Sequence, residues 1–458
     1  MSDARALPGY AGLARKPLFP RLLDFALRDT NVVIGAVVAN NLLRAVSSVI
    51  LTRLFVPEVF GIAGVIASVA FVFAMVSDLG FQAFVVRHPD GDQPRFLDTI
   101  WTIAVGRSVV LTLLLAAAAG PIASLIGKPE LAPLIAVSSL TFLVEGLASL
   151  SLLTALRRRL ILRLSILELV VAVAQLVMAV AFAFIWRSYW AILAAMLLSG
   201  ALKSLLSYLL FSGSSQRLRF DRRYAGELWR FARFVTGSSI MIMLVMQCDK
   251  LVLARLMPLD SFGFYMLAVN LGLAPLAFTT AYASRVLYPR YAQAWREGCA
   301  DLRAFFYAER RRVSVLYMAA AGGLVGVAPL LVAILYDERY APAAEYLRLV
   351  ALTPFLALGS ASANEVLTAT GRIQVTLQAS AIKLVWLAVM GPVGFWMGGA
   401  LGLVAVVGLM ELPALLLRWV QLHRVALLRL GEEVALIGVG LVGVAIGVGA
   451  DALLRPLV

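Results

Sequence analysis

Apolar stretches of about 20 residues, the length that crosses a lipid bilayer, recur along the whole chain. Hydrophobic residues make up 62% of the 458 residues and charged residues only 14%, against about 25% in ordinary soluble domains. A water-soluble fold could not bury that much apolar surface. Because short alternating strands of the barrel type are absent, the backbone must satisfy its hydrogen bonds within helices. The sequence therefore predicts an all-α polytopic membrane protein.

Hydropathy predicts thirteen membrane spans, preceded by a basic, proline-broken lead-in at residues 1–30. The predicted spans are residues 31–51, 59–80, 99–119, 133–154, 164–186, 189–211, 234–256, 262–284, 313–335, 346–369, 375–396, 399–420 and 434–454.

The basic residues orient these spans. Most of the forty Lys and Arg residues lie in the N-terminal lead-in and in the loops that follow even-numbered spans, as in "RRRLILR" at 157–163. Because cytoplasmic loops collect basic residues, these loops and the N-terminus are predicted to be cytoplasmic. The net charge of +14 is explained in this way, without nucleic-acid binding. Only six basic residues fall on the opposite face: Arg53, Lys128, Arg187, Arg255, Arg339 and Arg455.

One short phrase occurs twice. Residues 51–61 read "LTRLFVPEVFG" and residues 253–263 read "LARLMPLDSFG", 202 positions later. Six predicted spans separate the copies, and this even number places both on the outer face. The repeat is therefore a parallel one, related by an axis along the membrane normal. A second pair of similar segments supports the repeat. "LAPLIAV" at 131–137 and "YAPAAEY" at 340–346 each follow a predicted outer loop.

The repeat predicts two pseudo-symmetric six-helix bundles that face each other across a cleft. The first bundle covers residues 31–211 and the second residues 234–420. A basic cytoplasmic linker at 212–233 joins them, and one or two additional C-terminal helices occupy 421–458.

The two copies of the phrase, with their flanks, resemble segments of a known family. "LTRLFVPEVFGIAGVIASVAFVFAMVSDLGFQAFVVR" at 51–87 and "CDKLVLARLMPLDSFGFYMLA" at 248–268 resemble bacterial polysaccharide flippases of the Wzx type. These belong to the multidrug/oligosaccharidyl-lipid/polysaccharide exporter superfamily. The family's second helix ends near Asp-x-Gly, here Asp78 and Gly80. Further similar segments follow in family order, so the resemblance runs from about residue 30 to 375.

The resemblance implies a function. Such proteins move a lipid-linked oligosaccharide, typically on undecaprenyl diphosphate, across the bacterial inner membrane by alternating access of two bundles. The product serves exopolysaccharide, O-antigen or capsule assembly, so a polysaccharide polymerase and export machinery are implied partners, beside membrane lipids. The N-terminus is expected to be cytoplasmic. The chain departs from the family in its span number, because family members usually have twelve or fourteen spans.

Charged and amide side chains within spans are the candidate site residues, because charge in a bilayer is costly. Asn40, Arg44 and Ser47 share one face of span one. The planar guanidinium of arginine matches phosphate oxygens, so Arg44 is predicted to face a hydrated cavity. The alternative is an ion pair with Glu145 or Glu411.

Five further candidates carry charge or amide groups. Asp249 and Lys250 are neighbours on one helix and point about 100° apart, so one lines the cleft while the other pairs elsewhere. Asp249 is either a proton or Na⁺ site or a salt-bridged anchor, and Asn270 either binds sugar hydroxyls or joins helices. The full set of predicted cavity residues is Asn40, Arg44, Asp249, Lys250, Asn270, Glu365 and Lys383.

The sequence contains no nucleotide-binding or metal-ligand motif, so no cofactor is predicted. Transport would be driven by an H⁺ or Na⁺ gradient, by the membrane potential or by consumption of the product. Three alternatives are a small-molecule drug exporter or peptidoglycan-precursor flippase of the same superfamily, and an integral-membrane polymerase or ligase. The predicted outer loops are short and lack histidine, which argues against an enzyme.

Overall fold

The computed structural model describes residues 29–211, 213 and 216–457, and within these ranges every regular element is helical. The predicted lead-in at 1–30 lies outside the described residues except for its last two. The α-helices are α1 (Asp29–Leu54), α2 (Pro57–Val76), α3 (Phe81–Arg87), α4 (Pro94–Ile126), α5 (Ala132–Ser138), α6 (Leu140–Gly146), α7 (Ser151–Arg157), α8 (Ile161–Ile185), α9 (Tyr189–Leu209), α10 (Arg222–Leu256), α11 (Leu259–Gly272), α12 (Ala274–Tyr282), α13 (Tyr288–Arg296), α14 (Leu302–Leu335), α15 (Ala343–Val350), α16 (Leu352–Ala369), α17 (Gln374–Gly408), α18 (Glu411–Arg424) and α19 (Leu430–Leu454).

Ten stretches of the described chain are long and apolar enough to cross a membrane. One of them, residues 374–424, spans 51 residues, about twice the length of a single crossing, and it bends where Gly399 takes a φ of 59°. Helices α1 and α10, with 26 and 35 residues, also have spanning length. The predicted all-α polytopic class is confirmed. The number of thirteen spans and the division into two bundles stay predictions.

The predicted fourth span, 133–154, is three short helices rather than one continuous helix. The hydroxyls of Ser138, Ser139 and Thr141 donate to carbonyl oxygens three residues earlier, at 2.8, 2.6 and 2.7 Å. Serine and threonine compete in this way with the helical hydrogen-bond pattern. The run of small hydroxyl residues therefore explains why the sequence pattern overestimated the length of this helix.

The predicted eighth span is interrupted beside the site. Helix α11 ends at Gly272, α12 begins at Ala274, and a π-helical turn at Ala283–Leu287 follows before α13. Pro275 lies in the first turn of α12, where its missing N–H costs no helical hydrogen bond. The break places Asn270 in the last turn of α11, where its side chain is exposed to the space between α1 and α11.

The last helix, α19, packs closely on α14. A Cβ placed on Gly322 or Gly326 would lie 2.0 or 2.3 Å from a backbone oxygen of α19, and one on Gly443 would lie 2.3 Å from a backbone oxygen of α14. Small residues allow such close approach of helices in membranes. The Arg310 guanidinium and the Glu433 carboxylate form a buried ion pair between the same two helices. Helix α19 is thus firmly attached to the rest of the chain.

The substitution Glu433→Leu should strongly lower the melting temperature of the purified protein, because it leaves the buried Arg310 charge without its partner. Losing one member of a buried pair costs about 3–5 kcal/mol. The matched control is Glu432→Leu, whose side chain is more exposed and should change stability by less than about 0.5 kcal/mol. Thermal unfolding in detergent checks this, and equal melting temperatures for the two variants would contradict it.

Candidate functional site

A cavity of about 650 Å³ lies between the N-terminal half (residues 29–211) and the C-terminal half (residues 216–457). Helices α1 and α8 of the first half and α10, α11 and α12 of the second provide most of its wall. Among the described residues that line it, none is acidic. Its polar residues are Asn40, Asn41, Arg44, Ser47, Ser48, Gln175, Gln247, Lys250 and Asn270.

The predicted polar face of the first span lines this cavity. Asn40, Arg44 and Ser47 all lie in its wall, as their spacing of four and three residues on α1 requires. Apolar residues from the same helix, such as Leu43 and Leu51, complete the lining. The wall therefore combines amide and cationic groups with hydrocarbon, a surface suited to an amphipathic molecule.

Arg44 has no acidic partner in the described part of the chain. Its Nη2 atom donates to Oδ1 of Asn270 at 3.0 Å, and no described carboxylate lies within ion-pair distance of it. Glu411, one of the two acids considered as a partner, instead contacts Lys383. The alternative of a buried ion pair for Arg44 is thus absent among the described residues.

The prediction for Lys250 and Asp249 holds only in part, because Lys250 lines the cavity and Asp249 does not, yet the two side chains form an ion pair with each other. Lys250 lines the cavity, and its Nζ donates to the Met246 carbonyl oxygen. Asp249 does not line the cavity; it is buried and accepts a hydrogen bond from the Tyr265 hydroxyl. The two charges remain 3.7 Å apart. The role of Asp249 as a proton or Na⁺ site stays a prediction.

Three amide residues of the cavity, Asn41, Gln175 and Gln247, were missed by sequence reasoning. Gln247 lies three residues before Lys250 and therefore on the same face of α10, a signal that the sequence does contain. Its Oε1 atom is buried and, within the described ranges, has no hydrogen-bond partner. Gln175 has no charged residue within one turn of its helix, so no neighbouring charge drew attention to it in the sequence.

Glu365 and Lys383 do not line the cavity. They belong to a C-half charge cluster, in which Lys383 contacts Glu411 and Arg418 lies 3.9 Å from the same carboxylate. Oε1 of Glu365 accepts from Asn364 at 3.5 Å. Two cations and two carboxylates balance within this cluster. The structure therefore brings together four of the seven predicted residues, while Asp249, Glu365 and Lys383 lie elsewhere.

The two copies of the repeated phrase pack directly against each other. A Cβ on Gly61 would lie 1.9 Å from the Leu259 carbonyl oxygen, and a Cβ on Gly263 would lie 2.0 Å from that of Pro57. These contacts are reciprocal, because each glycine meets the start of the helix that carries the other. Only glycine permits this distance, so the recurrence of Phe-Gly has a packing reason.

Two further side chains bridge the halves at the same end of the molecule. The ammonium of Lys128 donates to the carbonyl oxygens of Ala254 and Met257 at 2.5 and 2.9 Å. The Tyr340 hydroxyl donates to the Phe55 carbonyl oxygen at 2.7 Å. Each therefore caps the C-terminal end of a helix from the opposite half, where carbonyl groups lack helical partners. These two caps and the glycine pair are called here the outer contact.

The opposite end of the molecule also carries contacts between the halves. Asp78, which belongs to the family signature, accepts a hydrogen bond from Ser239 of α10 at 2.8 Å and another from the backbone of Gly80 at 2.9 Å. Nearby, the His88 ring donates to the Glu227 carboxylate at 2.8 Å. This hydrogen bond lowers the pKa of Glu227. The halves thus meet at both ends of the cavity.

An all-helical chain with ten candidate spans and a polar cavity between two halves has the architecture of a multi-pass membrane transporter. The chain belongs to the family described as polysaccharide biosynthesis proteins, whose model matches residues 50–345, more than half of its length. The resemblance seen in the sequence is thereby confirmed.

Curated relatives and solved structures agree with this assignment. The lipopolysaccharide biosynthesis protein WzxC of Escherichia coli K12 is 23% identical over 362 residues, which are 79% of this chain and 73% of that protein. The succinoglycan biosynthesis transport protein ExoT of Rhizobium meliloti is 25% identical over 68% of this chain and 62% of that protein. The lipid II flippase MurJ, in an inward closed conformation, has the same fold, with a TM-score of 0.66, 11% identity and coverage of 93% and 99%.

The substitution Gly61→Val should separate the halves at the outer contact. A reporter, Met257→Cys in a background without Cys248 and Cys299, measures this, because Met257 is 3% exposed. Labelling by a membrane-impermeant maleimide should rise several-fold in Gly61→Val.

The matched control is Gly106→Val, since a Cβ at Gly106 meets no atom within 4 Å. The milder Gly263→Ala covers the case in which Gly61→Val fails to fold. Unchanged labelling in folded Gly61→Val would show that the glycine contact does not hold the halves together.

Proposed function

We propose that this protein moves an undecaprenyl-diphosphate-linked oligosaccharide from the inner to the outer leaflet of the bacterial inner membrane. Its N-terminus would be cytoplasmic, and its product would feed exopolysaccharide, O-antigen or capsule assembly. The observation that carries the proposal is Arg44, a cation in the wall of the cavity between the halves with no described acidic partner. Family membership and the names of the relatives support the same substrate class.

The chemistry of the cavity matches such a headgroup. A cation at membrane depth is costly without a counter-charge, and a diphosphate would supply one. Arg44 offers a planar fork that can bind two phosphate oxygens, while Lys250 offers a compact point charge. Asn40, Gln175 and Gln247 carry donors and acceptors that fit sugar hydroxyls. The carrier's hydrocarbon tail would remain in the bilayer beside the cavity.

Alternating access requires that the contacts at the two ends break in turn. The outer contact holds the halves together through backbone approach and two helix caps. These are short-range interactions, so a small rotation of one half would lose all of them together. The contacts of Asp78 and Glu227 at the other end would then be retained or tightened.

The driving force would come from an H⁺ or Na⁺ gradient, from the membrane potential or from consumption of the product. Asp249 is the candidate ion site, because its carboxylate is buried and adjoins the cavity residue Lys250. We also propose that a polysaccharide polymerase and export machinery receive the product on the outer face.

The alternatives fit less well. A cavity lined by two cations and no described acid disfavours a cationic drug as cargo. A peptidoglycan-precursor flippase would share the diphosphate and the fold of MurJ, so headgroup selectivity must be tested directly. Neither relative's name describes a polymerase or ligase.

Purified protein in vesicles should transfer undecaprenyl-diphosphate oligosaccharide between leaflets, measured by accessibility of the sugar to an enzyme added outside. Lipid II serves as the competing headgroup, and undecaprenol-linked sugar as the uncharged control. We expect transfer of the oligosaccharide well above that of lipid II and none of the uncharged lipid. Faster transfer of lipid II would reassign the protein to peptidoglycan synthesis.

In the same assay, Arg44→Ala should lower transfer by about tenfold to a hundredfold, since a hydrogen bond to a charged group contributes about 1.5–3 kcal/mol. Arg44→Lys should recover part of the loss. Insertion and folding, followed by size-exclusion chromatography, should be unchanged. The control Arg187→Ala alters an exposed arginine outside the cavity. Full transfer by Arg44→Ala would return this residue to a structural role.

A further inference from the structure

The hydrogen bond between Arg44 and Asn270 joins the two halves across the cavity. Arg44 lies on α1 and Asn270 in the last turn of α11, 226 residues later in the chain. Both side chains line the cavity, and the atoms Nη2 and Oδ1 are 3.0 Å apart. The bond is therefore a tether between the halves that is located where the proposed cargo would bind.

The tether leaves the charge of Arg44 uncompensated. The Asn270 amide oxygen accepts a hydrogen bond but carries no net charge. No acidic residue lines the cavity in the described part of the chain, and the second cation of its wall, Lys250, is paired with Asp249 at 3.7 Å. The guanidinium is thus held in one orientation without being neutralised. An anion that enters the cavity could therefore still bind it.

We propose that Asn270 is a positioning residue that holds Arg44 ready for an anionic headgroup and releases it when a phosphate oxygen takes the place of the amide oxygen. This inference rests on the proposed function. It adds a role for Asn270 that is distinct from binding sugar hydroxyls or simply joining helices.

Relative bond strengths make the exchange favourable. A phosphate carries a charge opposite to that of the guanidinium and can accept two parallel hydrogen bonds from it, whereas the uncharged amide oxygen accepts only one from Arg44. The phosphate would therefore displace the amide oxygen. A permanent carboxylate at position 270 would not be displaced so easily, and it would also repel the incoming anion.

This exchange would couple binding of the headgroup to the relative movement of the two halves. While the tether is intact, it restrains α1 relative to α11, and the outer contact joins the same two halves through α2 and α11. Once a headgroup binds Arg44, the restraint is lost and states with an open outer contact become more populated. A neutral lipid, which cannot take Arg44 from the amide, would leave the tether in place.

The test uses the Met257→Cys reporter, lacking both native cysteines, in vesicles with and without undecaprenyl diphosphate. In the parent protein the diphosphate lipid should raise maleimide labelling about tenfold, and undecaprenol should not. Asn270→Asp, which is nearly isosteric and keeps the hydrogen bond, should abolish this response. Asn270→Leu, which cannot accept the bond, should show raised labelling even without lipid.

The outcomes separate this inference from the proposed cargo. If the parent responds to the diphosphate lipid, an equal response of Asn270→Asp would overturn the positioning role, and so would lipid-free labelling of Asn270→Leu no higher than that of the parent. Raised lipid-free labelling of Asn270→Leu, combined with no response of the parent to the diphosphate lipid, would support the tether and contradict the cargo. Because Asn270→Asp preserves shape, its loss of response could not arise from altered packing.

Discussion

The close approach of α2 and α11 at Gly61 and Gly263 is the constraint on which the rest of the structure depends. Without side chains at these positions the two backbones meet almost atom to atom, as small residues permit between membrane helices. The contact joins the start of α2 in one half to the start of α11 in the other. Arg44 and Asn270 can then reach each other across the cavity. A larger residue at either glycine would move both the outer contact and the cavity wall.

The positive charges within the protein differ in the partners that compensate them. Arg310 is neutralised by the buried carboxylate of Glu433, and Lys383 by Glu411 in the C-half charge cluster. Both pairs stabilise the C-terminal half and leave no charge available to a ligand. Arg44 receives only an amide oxygen, although it lies in the wall of the 650 Å³ cavity between the halves. That difference in compensation, rather than the presence of charge, is what distinguishes a binding residue from a structural one.

Much of the fold could be predicted because hydropathy and helical spacing are local properties of the chain. The recurrence of Phe60-Gly61 as Phe262-Gly263 drew attention to two corresponding segments. It could not reveal that these two segments pack against each other. The prediction of one continuous helix for the fourth span was wrong. Serine and threonine hydroxyls compete with the helical hydrogen bonds there without lowering the hydropathy much. Glu365 and Lys383 were assigned to the cavity because a charged residue within a span either binds a ligand or pairs with another charge. The sequence alone does not show which of these two roles a charged residue has.

The sequence by itself determined the helices, their polar faces and the duplicated phrase, because each depends on residues within a few turns of one another. It placed Asn40 and Arg44 on one face of a single helix. Only the tertiary structure decided that Arg44 meets Asn270, and that Lys128 and Tyr340 cap helices of opposite halves. Those partners are distant in the chain, and their meeting depends on how the helices pack.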